Sequence, residues 1–136
     1  KEKVERVKIQ EEKTDLQDQL NKSKQKLDSF VKSMLKESLN ANLTNSKMYT
    51  VSHLNDFKNL FTKSYPGYLI RLKEIHANLT KSETLLFCFT LLNLSDNEIS
   101  SVLGVNINSV RQTRSRVMRK LSINGVNSFK AYVFEI

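Results

Sequence analysis

The chain has 136 residues, 39% of them hydrophobic and 26% charged, and its 22 Lys and Arg against 14 Asp and Glu give a formal charge of +8. That length suits one compact domain, or a smaller one joined to an extended element. Three Gly, one Pro, one Cys and two His speak against a turn-rich β fold, a glycine-rich phosphate cradle, an internal disulfide and a structural zinc site. The most apolar stretch, Leu85–Leu94, is interrupted by Thr90 and Asn93 and is shorter than the roughly 18 residues of a membrane span. The charged N-terminus has no room for the apolar core of a secretory signal. The expectation is a soluble, cytoplasmic, all-α protein that uses no cofactor and no metal.

Residues 1–36 contain no Gly or Pro and are rich in Lys, Glu, Gln and Leu, all good helix formers. In sevens, Ile9, Leu16, Ser23 and Phe30 fall at one core position, and Lys13, Leu20, Leu27 and Met34 at the other. Six of these eight are apolar, which predicts a coiled-coil helix roughly 50 Å long. A parallel homodimer through Ile9, Leu16, Leu20, Leu27, Phe30 and Met34 is the simplest way to cover that seam. The alternative is that the helix folds back on the C-terminal half. The chain opens in mid-pattern with neither Met nor a cap, as a piece of a longer protein would.

Residues 37–50 cluster Asn, Ser and Thr without a period and read as a polar linker or a frayed helix end. A helix follows over His53–Lys63, with Leu54, Phe57, Leu60 and Phe61 on one face. Pro66 suits the first position of the next helix, which runs to about His76 with Tyr68, Leu69, Leu72 and Ile75 toward a core. His53 and His76 read as ordinary surface or helix-end residues.

Thr80-Lys81-Ser82-Glu83 has the form of a capping box, opening a helix over Lys81–Asn93 that is apolar nearly all round. It is expected to be the central buried helix, with Cys88 a small core residue. A second box, Ser95-Asp96-Asn97-Glu98, opens a short helix over Asp96–Leu103 that ends at Gly104. Asn106 then caps a third helix over Ile107–Ser122. Two such helices joined by a tight, Gly-containing turn make a helix-turn-helix. Beyond the Asn124-Gly125 turn, Ser128–Ile136 has aromatic and branched content that would also suit a strand, but it reads as a short helix with Phe129, Tyr132, Val133 and Ile136 on one face.

The charge is concentrated at this end. Residues 1–30 carry +1 and residues 31–98 carry +2, whereas residues 99–136 carry six basic side chains and only Glu135, for +5. A block of one sign on a short folded segment attracts a polyanion. In the third helix Val110, Val117 and Leu121 face the core, helped by Met118 or Thr113. The opposite face shows Asn108, Arg111, Gln112, Ser115 and Arg119, and the first four are expected to read base edges in the major groove. Arg114, Arg116 and Lys120 flank it, and together with Ser109 and Arg119 they are assigned to phosphates.

Leu79-Thr80-x-x-Glu83, Leu94-Ser95-x-x-Glu98-Ile99-Ser100-x-x-Leu103-Gly104-Val105-Asn106, Ser109-Val110-Arg111 and Arg119-Lys120-Leu121 together resemble the LuxR-type (GerE-like) helix-turn-helix. The resemblance covers about residues 78–123. Ser100 stands where that family usually has alanine, Asn106 where it often has serine, and Ser109 where it has threonine, each keeping the physical role. Thr113 replaces the histidine of many members, so base preference does not carry over. The wider layout, with Phe57-x-x-x-Phe61 and Tyr65-Pro66-Gly67-Tyr68-Leu69-x-Arg71-Leu72-Lys73 ahead of the motif, resembles bacterial regulators. In these a sensor region, often with a membrane helix, precedes a coiled coil and this DNA-binding domain. The resemblance implies double-stranded DNA as the partner, and a membrane only through an upstream segment.

The expected organisation is therefore a dimerisation helix over 1–36, a linker over 37–50 and a helical DNA-binding domain over 51–136. The expected role is a dimeric, sequence-specific transcription regulator. The competing reading is a coiled-coil scaffold whose basic head binds acidic partners, or DNA without preference. No paired carboxylates, nucleophile set or metal cluster stands at motif spacing, so no catalysis is expected.

Overall fold

Glu2–Asn40 forms one unbroken helix, α1, of 39 residues. In the computed structural model the described residues are 2–40 and 51–136, with side chains described over 5–36 and 53–136. Residues 37–40, expected as the start of a linker or as a frayed helix end, continue the helix, and the rest of that segment lies outside the described residues. Among the described residues six further helices follow: α2 (Val51–Ser64), α3 (Tyr68–Ile75), α4 (Lys81–Leu91), α5 (Asp96–Leu103), α6 (Ile107–Lys120) and α7 (Val126–Glu135). The fold is all-helical, and among the described residues no helix is long and apolar enough to cross a membrane.

The two ends of α1 have different surroundings. Val7, Ile9 and Leu16 are exposed and Leu20 is half-buried. From Leu27 onward the apolar side turns into the chain's own core. Leu27, Val31 and Met34 are buried there, with Phe30 and Leu35 packed against them, as α1 lies on α2 and α5. This corrects the expectation that Leu27, Phe30 and Met34 face a second copy. Positions 27, 30, 31, 34 and 35 form a broad stripe of the kind a globular helix buries, wider than a coiled-coil seam. Lys24 adds its ammonium over the Tyr65 ring, 5.0 Å from the centroid.

The core is built on aromatic rings. Phe57 and Phe61 of α2 are fully buried, Phe57 lying 4.8 Å from Phe89 of α4 and Phe61 5.8 Å from Tyr68 of α3, centroid to centroid. Helix α4 is central, as its uniform apolarity predicts: Leu86, Phe87, Cys88, Phe89 and Thr90 are all buried, and it packs on α6 and α7. Phe87 meets Phe129 of α7 edge to face at 5.3 Å. Burial pushes the Cys88 thiol up to about 12 and leaves it a core residue.

Pro66 does not open α3. It precedes Gly67, which takes φ 83 and ψ −10, and the Tyr68 amide donates to the Tyr65 carbonyl at 3.2 Å. That is a type II turn, which uses Pro and then Gly at its two central positions, so α3 begins two residues later. Ile75, expected toward the core, is exposed because the helix stops there and His76 leaves helical geometry. Helix α7 is tied to α3: the Tyr68 hydroxyl donates to the Val133 carbonyl at 3.0 Å, and Arg71 Nε to the Ile136 carbonyl at 2.8 Å. The His76 ring is bonded to the Tyr132 hydroxyl.

Candidate functional site

The segment α4–α5–α6 is specified locally at nearly every boundary. Thr80 and Glu83 complete one capping box, the Glu83 amide donating to Thr80 Oγ1 at 3.2 Å and the Thr80 amide to Glu83 Oε1 at 2.9 Å. Ser95 and Glu98 complete the second with the same two distances. Asn106 caps α6, its side-chain oxygen accepting from the Asn108 amide at 2.8 Å. Each of the three helices ends on a left-handed residue: Asn93 (φ 62), Gly104 (φ 64) and Ser122 (φ 54). In each case the next amide (Leu94, Val105, Ile123) reaches back five residues to a helix carbonyl, at 2.9–3.1 Å. This is the Schellman arrangement, which satisfies carbonyls the helix leaves open. Across the turn after α5, the Ser100 hydroxyl donates to the Val105 carbonyl at 2.6 Å.

Two charged contacts then hold α6. Arg114 is buried, and its guanidinium makes two hydrogen bonds to the carboxylate of Asp96, the first residue of α5. Lys120 Nζ donates to Glu83 Oε1 at 2.6 Å and to the Asn78 carbonyl at 3.4 Å. Hydrogen bonding from Arg114 holds the Asp96 carboxyl below the usual carboxylate range. For Glu83, burial pulls its pKa upward, but bonds from Lys120 and from the Thr80 amide and hydroxyl outweigh it, and the net direction is down.

The outer face of α6 is different in kind. Asn108, Arg111, Gln112, Ser115, Arg116 and Arg119 line one shallow, open surface, and all six are exposed. The four residues expected to read bases are brought together here, joined by two of those expected on phosphates. Ser109 is also exposed. Arg111 reaches toward the shared carboxylate, Nε to Asp96 Oδ2 at 3.6 Å, with its side chain 59% exposed. Helix α6 carries five basic residues and no acid of its own, so its nearest carboxylates, Asp96 and Glu83, come from other helices.

Two expected phosphate ligands stand elsewhere. Arg114 is turned inward onto Asp96, which corrects its assignment to the surface, and the Lys120 ammonium is shared with Glu83, although its side chain stays 43% exposed. The physical reason for Arg114 is periodicity: positions 110, 114, 117 and 121 share one helical face, and Val110 and Val117 are buried. That signal was present in the sequence. The partner was not, because Asp96 stood inside a capping-box motif that already gave it a reason to be acidic.

Among the described residues no group of three or more His, Cys, Asp or Glu is placed to hold a metal ion. The exposed face of α6 offers paired donors from Arg and both donor and acceptor from Asn and Gln. No protein-family model matches the chain, and no curated protein or solved structure matches it either.

Proposed function

We propose that the chain is a sequence-reading DNA-binding protein, a transcription regulator of LuxR type that works as a dimer in the cytoplasm. In this reading α5 and α6 are its helix-turn-helix, and α6 lies in the major groove. Asn108, Arg111, Gln112 and Ser115 meet base edges; Ser109, Arg116 and Arg119 meet phosphates. Arg114 is withdrawn from the phosphate set and serves instead as the clamp between the two helices. The observation that carries the reading is the sorting of charge on α6. Its acidic partners lie behind it, and its exposed face is left basic and amide-rich. Dimerisation is assigned to the part of α1 that the head leaves uncovered, around Ile9, Leu16 and Leu20. Two-fold symmetry then calls for half-sites about one helical turn apart, or a multiple of it.

The test is selection of bound duplexes from a random pool, with affinities of the winners measured at two salt concentrations. Arg111→Ala with Gln112→Ala is run in parallel. A symmetric motif is expected, preferred over random DNA by the native chain and not by the double variant. Binding of all duplexes alike, with a salt slope of about −0.9 per phosphate neutralised and no loss in the variant, would show attraction by charge alone. The scaffold reading, a basic head on acidic partners, would then replace this one.

A further inference from the structure

A partly enclosed cavity of about 370 Å³ opens between α2, α3, the 76–80 connection and the start of α4, and shares no lining residue with the outer face of α6. Its body is apolar: Leu54, Leu69, Leu72, Leu79 and Leu85. Leu72 is closed into the core, while the other four are left half-buried. Its polar lining includes Lys58, Lys73, Lys81 and His76, and among the described residues no carboxylate lines it. Among the described residues none of the three lysines forms an ion pair.

We propose that this cavity is a binding site for a small amphipathic carboxylate: an alkyl or aryl body seated on the leucines, with its anionic head among the lysines. Size and shape favour a small molecule over a polypeptide. The volume falls within the range of ligand pockets, and the site is concave, whereas protein partners need broader surfaces. Removing the ligand's apolar body from water gives the affinity. The lysines act as flexible point charges that accept a carboxylate without demanding one geometry. Their exclusive sign sets the specificity, since a cationic amphiphile of equal length meets only repulsion.

The site stands independently of DNA binding, and so does its test. The full chain, with leucine methyls labelled, is titrated by NMR with decanoate and, separately, with decyltrimethylammonium. Saturable shifts confined to the five leucines are expected with decanoate and absent with the cation. Lys58→Gln and Lys81→Gln should each weaken decanoate about two- to fivefold, the size of a solvent-screened charge contact. Ala77→Phe, at an exposed lining position, should fill the cavity and abolish the saturable shifts while leaving the melting temperature unchanged. Equal binding of both amphiphiles, shifts that never saturate, or undiminished binding to Ala77→Phe would each overturn the proposal.

Discussion

The guanidinium of Arg114 grips the carboxylate of Asp96 through two hydrogen bonds, and so fixes the middle of α6 to the first residue of α5. Arg114 keeps only 8% of its side chain exposed, against 29% for Asp96, so the two ends of the pair differ in what their loss leaves behind. Removing the carboxylate strands a buried cation; removing the cation leaves an acid that can still reach water and Arg111.

Asp96→Ala should therefore lower the unfolding free energy by about 3 kcal/mol. Arg114→Met should cost less than half as much, because Met retains the packing of the stem without the charge. The double variant should be no less stable than Asp96→Ala alone, since the two act through one contact. Urea unfolding followed by circular dichroism measures all three, and equal losses for the two single variants would refute the asymmetry.

The same carboxylates predict an acid limb. Asp96 and Glu83 both titrate lower in the folded chain than in the unfolded one. The unfolded chain thus binds more protons in acid, and stability is full above roughly pH 5 and is lost as pH falls through about 4 and below. Asp96→Asn combined with Glu83→Gln should be less stable at pH 7 but should lose less on acidification. Urea midpoints between neutral pH and about pH 3 give the comparison, and parallel curves would contradict it.

The divided surroundings of α1 predict two phenotypes from one helix. Leu27→Ala and Met34→Ala, both within the core, should each cost about 2–4 kcal/mol of stability. Ile9→Asp and Leu16→Asp, both on exposed positions, should leave unfolding of the head unchanged and reduce self-association in sedimentation. If Leu27→Ala left the head as stable as before, the packing of α1 on α2 and α5 would be wrong.

The three left-handed helix ends make a graded set. Gly104→Ala should cost about 1 kcal/mol, because a Cβ is strained at its positive φ. Ser122→Gly should stabilise by about 0.5 kcal/mol by relieving that same strain, less the freedom glycine adds to the unfolded chain. Asn93→Gly should change little, since Asn tolerates this conformation. Thermal melts of the three variants would show the order directly, and a destabilised Ser122→Gly would be inconsistent with it.

Helix boundaries and caps from Thr80 to Asn106 were legible in the sequence because they depend on groups within a few residues of one another. A threonine and a glutamate three positions apart satisfy each other's backbone amides whatever lies beyond them. The same holds for the face of α6: spacing alone puts Asn108, Arg111, Gln112 and Ser115 on one side and Val110 and Val117 on the other. Only the tertiary structure decided which charges stay outside. Arg114 finds its carboxylate 18 residues away and Lys120 finds Glu83 37 residues away, pairings set by how α4 and α5 pack behind α6. It also decided where the seam of α1 stops facing solvent, since an apolar stripe records that it needs cover but not whose cover it takes. By itself the sequence determined helices, caps and faces, which are short-range; the partners of the buried charges, the end of the rod and the leucine cavity arose from packing between distant segments.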